Sequence, residues 1–420
     1  MVKTIDSKEL IRHTRFDLII KYLYANSMIK NYDTDFFRKI YKEHLRLWNG
    51  FKEYNNPDKN SFEKFDQYFK DIIESIKTNG FDSNISTVPT QDDFFILNGA
   101  HRTAACIALE KEIQTTSGTN GKDGMYNCGW DFFKGLGYPT KYADKIAIEY
   151  SKLKNNTHMV LLFPAAKGQH QEALNILNNI GKVFYYKSTT IENNGPLNLM
   201  RELYVGEAWA GNHQTNYSGF RDKARLCYTN NNPTISLLVE FDNLDDTIKA
   251  KKEIRNLYGV GNHSVHINDT HEETVRIAKL MFNDNSIHHL NNSKIVKYDK
   301  FDLCIENFKN YITNNGYDLD DYCIGGSSTL SSYGLREGND LDYLHFNVNE
   351  IKDNLDLIHS HNEYGKDRYP YKRDEIIFNP EHHYYSKGVK FASLDVIKKL
   401  KEKRNEPKDT IDIDLINSIL

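Results

Sequence analysis

Cysteine is scarce. The 420 residues hold five, Cys106, Cys128, Cys227, Cys304 and Cys323, odd in number, scattered and without a CxxC pair. This argues against a disulfide framework and against a structural zinc site. Idle, buried thiols in a reducing compartment are expected, hence a cytoplasmic protein. Long apolar runs are missing as well. The longest useful one, Met159 to Ala166, is eight residues. A helix needs about 20 to cross a bilayer, so no membrane span is expected. The opening MVKTIDSKELIRH has no apolar core of a signal peptide, so secretion is not expected. Neither charge sign dominates: Lys+Arg 54 against Asp+Glu 58 leaves a net charge of -4. A nucleic-acid partner is therefore not expected, and there is no strongly acidic tail. Aromatics are plentiful, with 27 Tyr and 22 Phe. They bury large areas, which excludes disorder across the whole chain. At roughly 100–200 residues per domain, the length implies two or three domains.

Hydrophobic spacing predicts a multidomain chain mixing α/β and α+β organisation. The domains expected are 1–125, a central α/β layer at 130–295, and 296–420. The first region is helical early, through LIRHTRFDLIIKYLYANSMI, TDFFRKIYKEHLRLW and FEKFDQYFKDIIESIKTNG, the last stopping at Gly80. An extended ISTVPT and a strand DFFILN lead through Gly99 into a helix, HRTAACIALEKEI. Residues 114–130 read as a Gly-rich loop. The middle region alternates strand and helix: MVLLFPAA, HQEALNILNNIG, KVFYYKSTTI, PLNLMRELYVGEAWAG, TISLLVEFD, LDDTIKAKKEIRNLYGV, SVHIND and EETVRIAKLMFN. Such alternation points to an α/β layer with some parallel pairing.

The most specific chemistry lies in DDYCIGGSSTLSSYGLREGNDLDYLHF. A short apolar strand delivers Gly325, Gly326 and Ser327, and twelve residues separate Ser327 from Asp340. Asp340 and Asp342 are expected on the next strand, where residues i and i+2 share a face. Paired carboxylates call for a cation, and Mg²⁺ prefers carboxylates together with substrate phosphates. The glycines allow close backbone approach to a triphosphate, and the Ser327 hydroxyl supplies a further contact. A polar turn with solvated aspartates is the plainer alternative.

This stretch resembles the nucleotidyltransferase superfamily with the DNA polymerase β-like fold, over roughly residues 315–420. The matching residues are Gly326, Ser327, Asp340 and Asp342. The resemblance implies a mixed sheet with helices, Mg²⁺ at Asp340 and Asp342, and a nucleoside triphosphate as substrate. It also implies a third carboxylate from a later strand, for which Glu375 in DEIIF is the best candidate. The tail resembles the helical segment of smaller members. There the matching positions are Lys398 or Lys399, then Lys408, Asp409 and Asp412, with Lys408 expected at the nucleotide.

A second motif is FILNGAHRTAACIAL. Asn98 and Gly99 make a tight turn, and a helix begins near His101. A helix N-terminus after a glycine turn favours anions, and His101 and Arg102 add donors there. With IIESIKTNG and NISTVPT before it, the motif resembles the ParB/sulfiredoxin-like domain. That resemblance implies nucleotide phosphates held at Gly99, His101 and Arg102. Ala100 occupies the position of sulfiredoxin's reactive cysteine, which disfavours that chemistry. Partition-type DNA binding needs a helix-turn-helix, and a Gly-rich loop follows instead. Glu74, on the preceding helix, reads as a surface residue or as a base toward a hydroxyl acceptor.

In the middle, NHSVHINDTHEET gathers His263, His266, Asp269 and His271. The two strand histidines face opposite sides, so an N-cap at Thr270 or Asp269 is favoured over a metal site. Lys167, His170, Lys223 and Arg225 read as solvated groups or phosphate contacts. The leading expectation is a Mg²⁺-dependent enzyme that transfers a nucleotidyl group from a nucleoside triphosphate to a small-molecule or glycan-precursor acceptor. The alternatives are an ATP-dependent small-molecule kinase using the N-terminal domain, and a non-catalytic nucleotide-binding regulator.

Overall fold

A computed structural model describes residues 2–53, 56–91, 95–117, 127–346 and 357–420. The chain is mixed α/β. It divides into two compact units. The first comprises Met1–Thr157, Gly181–Tyr185 and Leu238–Asp242, and the second comprises the rest. Among the described residues no helix is long and apolar enough to cross a membrane. All five cysteines are free and buried.

The first unit runs β1 (Val2–Asp6), α1 (Phe16–Ile29), α2 (Phe36–Asn49), α3 (Phe62–Asn79), β2 (Val88–Thr90), α4 (Ala100–Ala108), β3 (Glu112–Ser117), α5 (Trp130–Gly135) and α6 (Thr140–Leu153). Its sheet has the order β1-β3-β2, with β1 antiparallel and β2 parallel to β3. α1 buries Leu18, Ile19, Ile20, Leu23 and Tyr24 around its whole girth, as a core helix must. Phe16 stacks on Phe184 at 5.3 Å and touches Trp130 and Phe133. α3 buries one stripe, Phe62, Phe65, Phe69, Ile73 and Ile76. Ser61 Oγ caps it by accepting from the Lys64 amide at 3.3 Å, and Gly80 at φ +74° ends it, where the sequence places the stop.

Three local expectations change in this unit. The helix predicted over HRTAACIALEKEI ends at Ala108, because Glu110 turns to φ +53° and Ile113 is paired with Ile5 in the sheet. Gln114–Ser117, expected as loop, finish β3, with Ile113 and Thr115 buried. The strand expected over DFFILN is reduced, in its described part, to a single bridge between Ile96 and Thr90. Asp93, Phe94 and residues 118–126 lie outside the described residues.

Farther along come β4 (Thr157–Leu162), α7 (His170–Ile180), β5 (Lys182–Thr189), α8 (Gly195–Leu203), α9 (Ser218–Cys227), β6 (Thr234–Glu240), α10 (Leu244–Tyr258), β7 (Val265–Ile267), α11 (His271–Met281) and α12 (Asp284–Asn292). Their strands form a sheet in the order β5-β6-β4-β7, with β4 and β7 antiparallel. The helix predicted to run through GEAWAG stops at Leu203, because Gly206 takes φ +83° and breaks it.

The second unit continues with α13 (Asp299–Asn314), β8 (Tyr322–Gly325), α14 (Ser327–Ser332), β9 (Leu341–His345), β10 (Ile358–Ser360), α15 (Asn362–Gly365), α16 (Arg373–Phe378), β11 (His383–Ser386), β12 (Val389–Ala392), α17 (Leu394–Arg404) and α18 (Pro407–Asn417). Five strands make a mixed sheet in the order β10-β9-β8-β12-β11. β8 is antiparallel to β9 and parallel to β12, and β10 is parallel to β9. Every residue of β8 is buried, so this central strand carries its C-terminal glycines to a fixed place. α12 is tied to the sheet: Ser286 Oγ accepts from the Tyr385 amide at 2.8 Å, and Asn283 reaches the His383 carbonyl.

Candidate active site at the glycine turn after β8

The β8–β9 register pairs Gly325 with Asp342, which sets the Asp342 side chain beside the turn that follows. Gly326 sits at φ +59°, ψ -142°, a backbone state that side chains resist. A Cβ there would strike Asp342 Oδ2, and a Cβ at Gly325 would strike Tyr369 Oη. Both glycines are thus required by the protein's own side chains.

α14 begins at once with Ser327. The loop back to β9 is stitched to this helix. Ser328 Oγ donates to the Asp340 carbonyl at 2.9 Å, and the Gly338 amide donates to Ser331 Oγ at 2.8 Å. A Cβ at Gly338 would lie 2.7 Å from Ser327 Oγ. Asp340 falls one residue before β9 rather than on it, held by this stitching.

Asp342 Oδ1 lies 3.0 Å from His361 Nε2. On the other side of β9, His359 of β10 is its register partner. The ring of His361 lies 4.5 Å from that of Tyr364. His361 Nδ1 is buried with no hydrogen-bond partner among the described residues. Burial, and then the Asp342 charge, push the Tyr369 hydroxyl well above the ordinary phenol range.

The remaining expected residues are spread out. Glu375 lies on α16, where it accepts from Asn379 Nδ2 at 2.6 Å and sits 3.8 Å from His382 Nε2. Lys408 is exposed and pairs with Glu406 at 3.1 Å. Asp409 and Asp412 are buried in an ion network. Asp412 accepts two bonds from Arg336, at 2.5 and 2.6 Å, and pairs with Lys401 at 2.6 Å. Asp409 accepts from Arg404 Nε at 2.9 Å. Desolvation works to raise Asp409, but the Arg404 bonds outweigh it and bring the carboxyl down to about 2. Because Arg336 lies between α14 and Asp340, this network clamps the loop that carries Asp340. Among the described residues, no three of His, Cys, Asp or Glu are grouped to hold a metal ion.

At the N-terminal motif, Gly99 takes φ +96° at the start of α4, and a Cβ there would lie 2.9 Å from Arg102 Nη2. His101 turns inward. Its Nε2 meets Tyr41 Oη at 2.8 Å, and its ring packs edge-on to Phe69 at 4.7 Å. Burial, and then the nearby Lys21 and Lys59, push its pKa well below the ordinary imidazole value, so it is neutral near pH 7. Arg102 Nη1 donates to Ser86 Oγ and to the Thr87 carbonyl. Gly99 and Arg102 are therefore together, while His101 faces the Tyr41–Phe69 core.

Comparison with family models, curated proteins and solved structures returns no match.

In the middle region, Thr270 caps α11 in a reciprocal box with Glu273, the reading favoured for that segment. Asp269 pairs with Lys251 at 2.6 Å, and the His266 ring packs edge-on to Tyr204 at 5.1 Å. Lys223 Nζ donates to the Asn262 carbonyl at 2.6 Å, and Arg225 lies 3.8 Å from Asp222. Glu74 is exposed on α3 and accepts from Thr78.

Sequence reasoning missed His361, Tyr369, Arg336 and Arg404. Arg336 lay inside the Gly-Ser to Asp-x-Asp spacing and was legible as a charge within that loop. His361 and Tyr369 carried no local signal, since only the β9–β10 pairing and the chain after it bring them to the turn.

Proposed function

We propose that the chain is a Mg²⁺-dependent nucleotidyltransferase, moving a nucleotidyl group from a nucleoside triphosphate to a small-molecule or glycan-precursor acceptor. The observation that carries this reading is the Asp342 carboxylate packed against Gly326, with Asp340 two positions earlier and Ser327 opening α14. On this reading residues 315–420 form a polymerase β-like domain, the N-terminal region is ParB/sulfiredoxin-like, and the protein works in the cytoplasm without nucleic acid.

Asp340 and Asp342 offer hard oxygen donors. Mg²⁺ is commonly held by one or two protein carboxylates, with water and substrate phosphates completing the shell. The donor chemistry fits, and His361 is the group that must yield part of Asp342 to a cation. When bound, the metal supplies positive charge to the triphosphate. The backbone amides at Gly326 and Ser327 and the Ser327 hydroxyl bind phosphate oxygens. His361 orients the Asp342 carboxylate. The Arg336–Asp412 clamp fixes the loop bearing Asp340. In the reaction the acceptor oxygen bonds to the α-phosphorus, and the bond to pyrophosphate breaks in line.

The test is incubation with each labelled nucleoside triphosphate, Mg²⁺ and a panel of sugar phosphates. Pyrophosphate release that is lost in Asp342→Asn is expected. Release of a nucleoside diphosphate, or no turnover with any acceptor, contradicts the proposal.

A further inference from the structure

A concavity lies wholly within the first unit, between the C-terminal half of α3, the loop after it and α4. Its volume is about 260 Å³. Ile72 and Ile76 of α3, with Phe81 and Ile85 of the loop, make an apolar body. Ile85 is 76% exposed and Tyr68, on the rim, 48% exposed. Apolar surface left open around a cavity is the mark of a ligand site rather than of a packing defect.

Three charged groups line the same space, Arg102, Asp71 and Asp82. Arg102 has no carboxylate partner among the described residues. Its guanidinium is anchored from behind by Ser86 Oγ and the Thr87 carbonyl. Asp71 accepts from Gln67 at 2.8 Å, and Asp82 accepts from the Asn84 amide at 2.8 Å. Each carboxylate keeps acceptor capacity after these bonds. The lining therefore offers one anchored cation, two anions and an apolar wall.

We infer that this cavity binds a small zwitterion with an apolar body, an amino acid or a close amine-carboxylate relative. Arg102 takes its carboxylate, Asp71 or Asp82 its ammonium, and the isoleucines its side chain. Charge balance decides against a triphosphate here, because two carboxylates beside one guanidinium repel a polyanion. The inference stands apart from the Asp340–Asp342 reading and survives its failure.

The experiment is isothermal titration calorimetry on the full chain with L-leucine and L-phenylalanine. L-leucinamide, which lacks the carboxylate, N-acetyl-L-leucine, which lacks the ammonium, and ATP are titrated in parallel. At least one free amino acid binds, and both blocked forms bind about tenfold more weakly or worse, since a charge-assisted bond is lost in each. Arg102→Gln weakens binding by a similar factor. Arg102 also ties the 86–87 segment, so Ile85→Glu, at an exposed side chain, serves as the variant that leaves the fold intact. It too loses binding. The inference is overturned if neither amino acid binds at millimolar concentration, if the blocked forms bind as well as the free ones, or if neither variant changes affinity. ATP binding that is abolished by Ile85→Glu also overturns it.

Discussion

Replacing Gly326 by alanine probes the turn at its tightest point. The backbone there is at φ +59°, ψ -142°. Holding a non-glycine residue in so sparse a region costs about 1–3 kcal/mol. The new methyl also strikes Asp342 Oδ2, which must swing away and loosen its 3.0 Å pair with His361. Overpacking of this kind costs about 1–3 kcal/mol more. The total, about 2–6 kcal/mol, is a large part of a typical stability of about 5–15 kcal/mol. Urea unfolding followed by circular dichroism measures it. The reasoning makes a sharper claim through a double-mutant cycle with Asp342→Ala. Removing the carboxylate removes the collision but not the backbone strain. The double variant should therefore be more stable than the sum of the singles by about 1–3 kcal/mol. A Gly326→Ala cost below about 0.5 kcal/mol, or strict additivity with Asp342→Ala, refutes the packing described here.

Other expectations are checked by the same unfolding measurements. Asp412→Ala leaves the buried Lys401 to Asp409 alone, at 3.5 Å, takes the carboxylate from Arg336, and should cost about 1–3 kcal/mol, whereas Lys408→Ala, at an exposed pair, should cost less than about 1 kcal/mol. His289 is pushed down to about 4 by burial, against the opposing pull of its Ser332 carbonyl bond. Its folded pKa lies below the ordinary 6.5, so its neutral form stabilises the fold above pH 6.5. That contribution of about 3 kcal/mol is lost as pH falls from 6.5 toward 4, and His289→Gln should flatten the stability curve in that window. Thr270→Ala opens the α11 capping box and should cost about 1 kcal/mol.

Much of the architecture was legible because its signals are local. The α3 stripe with its Ser61 cap and Gly80 stop, the strand–helix alternation of the middle region, and the Thr270 cap all depend on neighbours within a few residues. The Gly325–Asp342 juxtaposition was legible too, since a strand, a turn and a second strand at short range leave few ways to pair. What failed depended on partners far away in sequence. The end of the HRTAACIALEKEI helix was decided by Ile5, which claims Ile113 for the sheet. The inward turn of His101 was decided by Tyr41 and Phe69. The His361–Asp342 pair depends on β10 lying parallel to β9, a tertiary choice that no local pattern encodes.

The central claim is that Asp340 and Asp342 hold a divalent cation against a triphosphate at the Gly326 turn. Mn²⁺ binding followed by electron paramagnetic resonance, with and without a non-hydrolysable nucleoside triphosphate, tests it directly. The account predicts a site that tightens when nucleotide is present and disappears in both Asp340→Asn and Asp342→Asn. Mn²⁺ binding unchanged in either variant, or indifferent to the nucleotide, contradicts it.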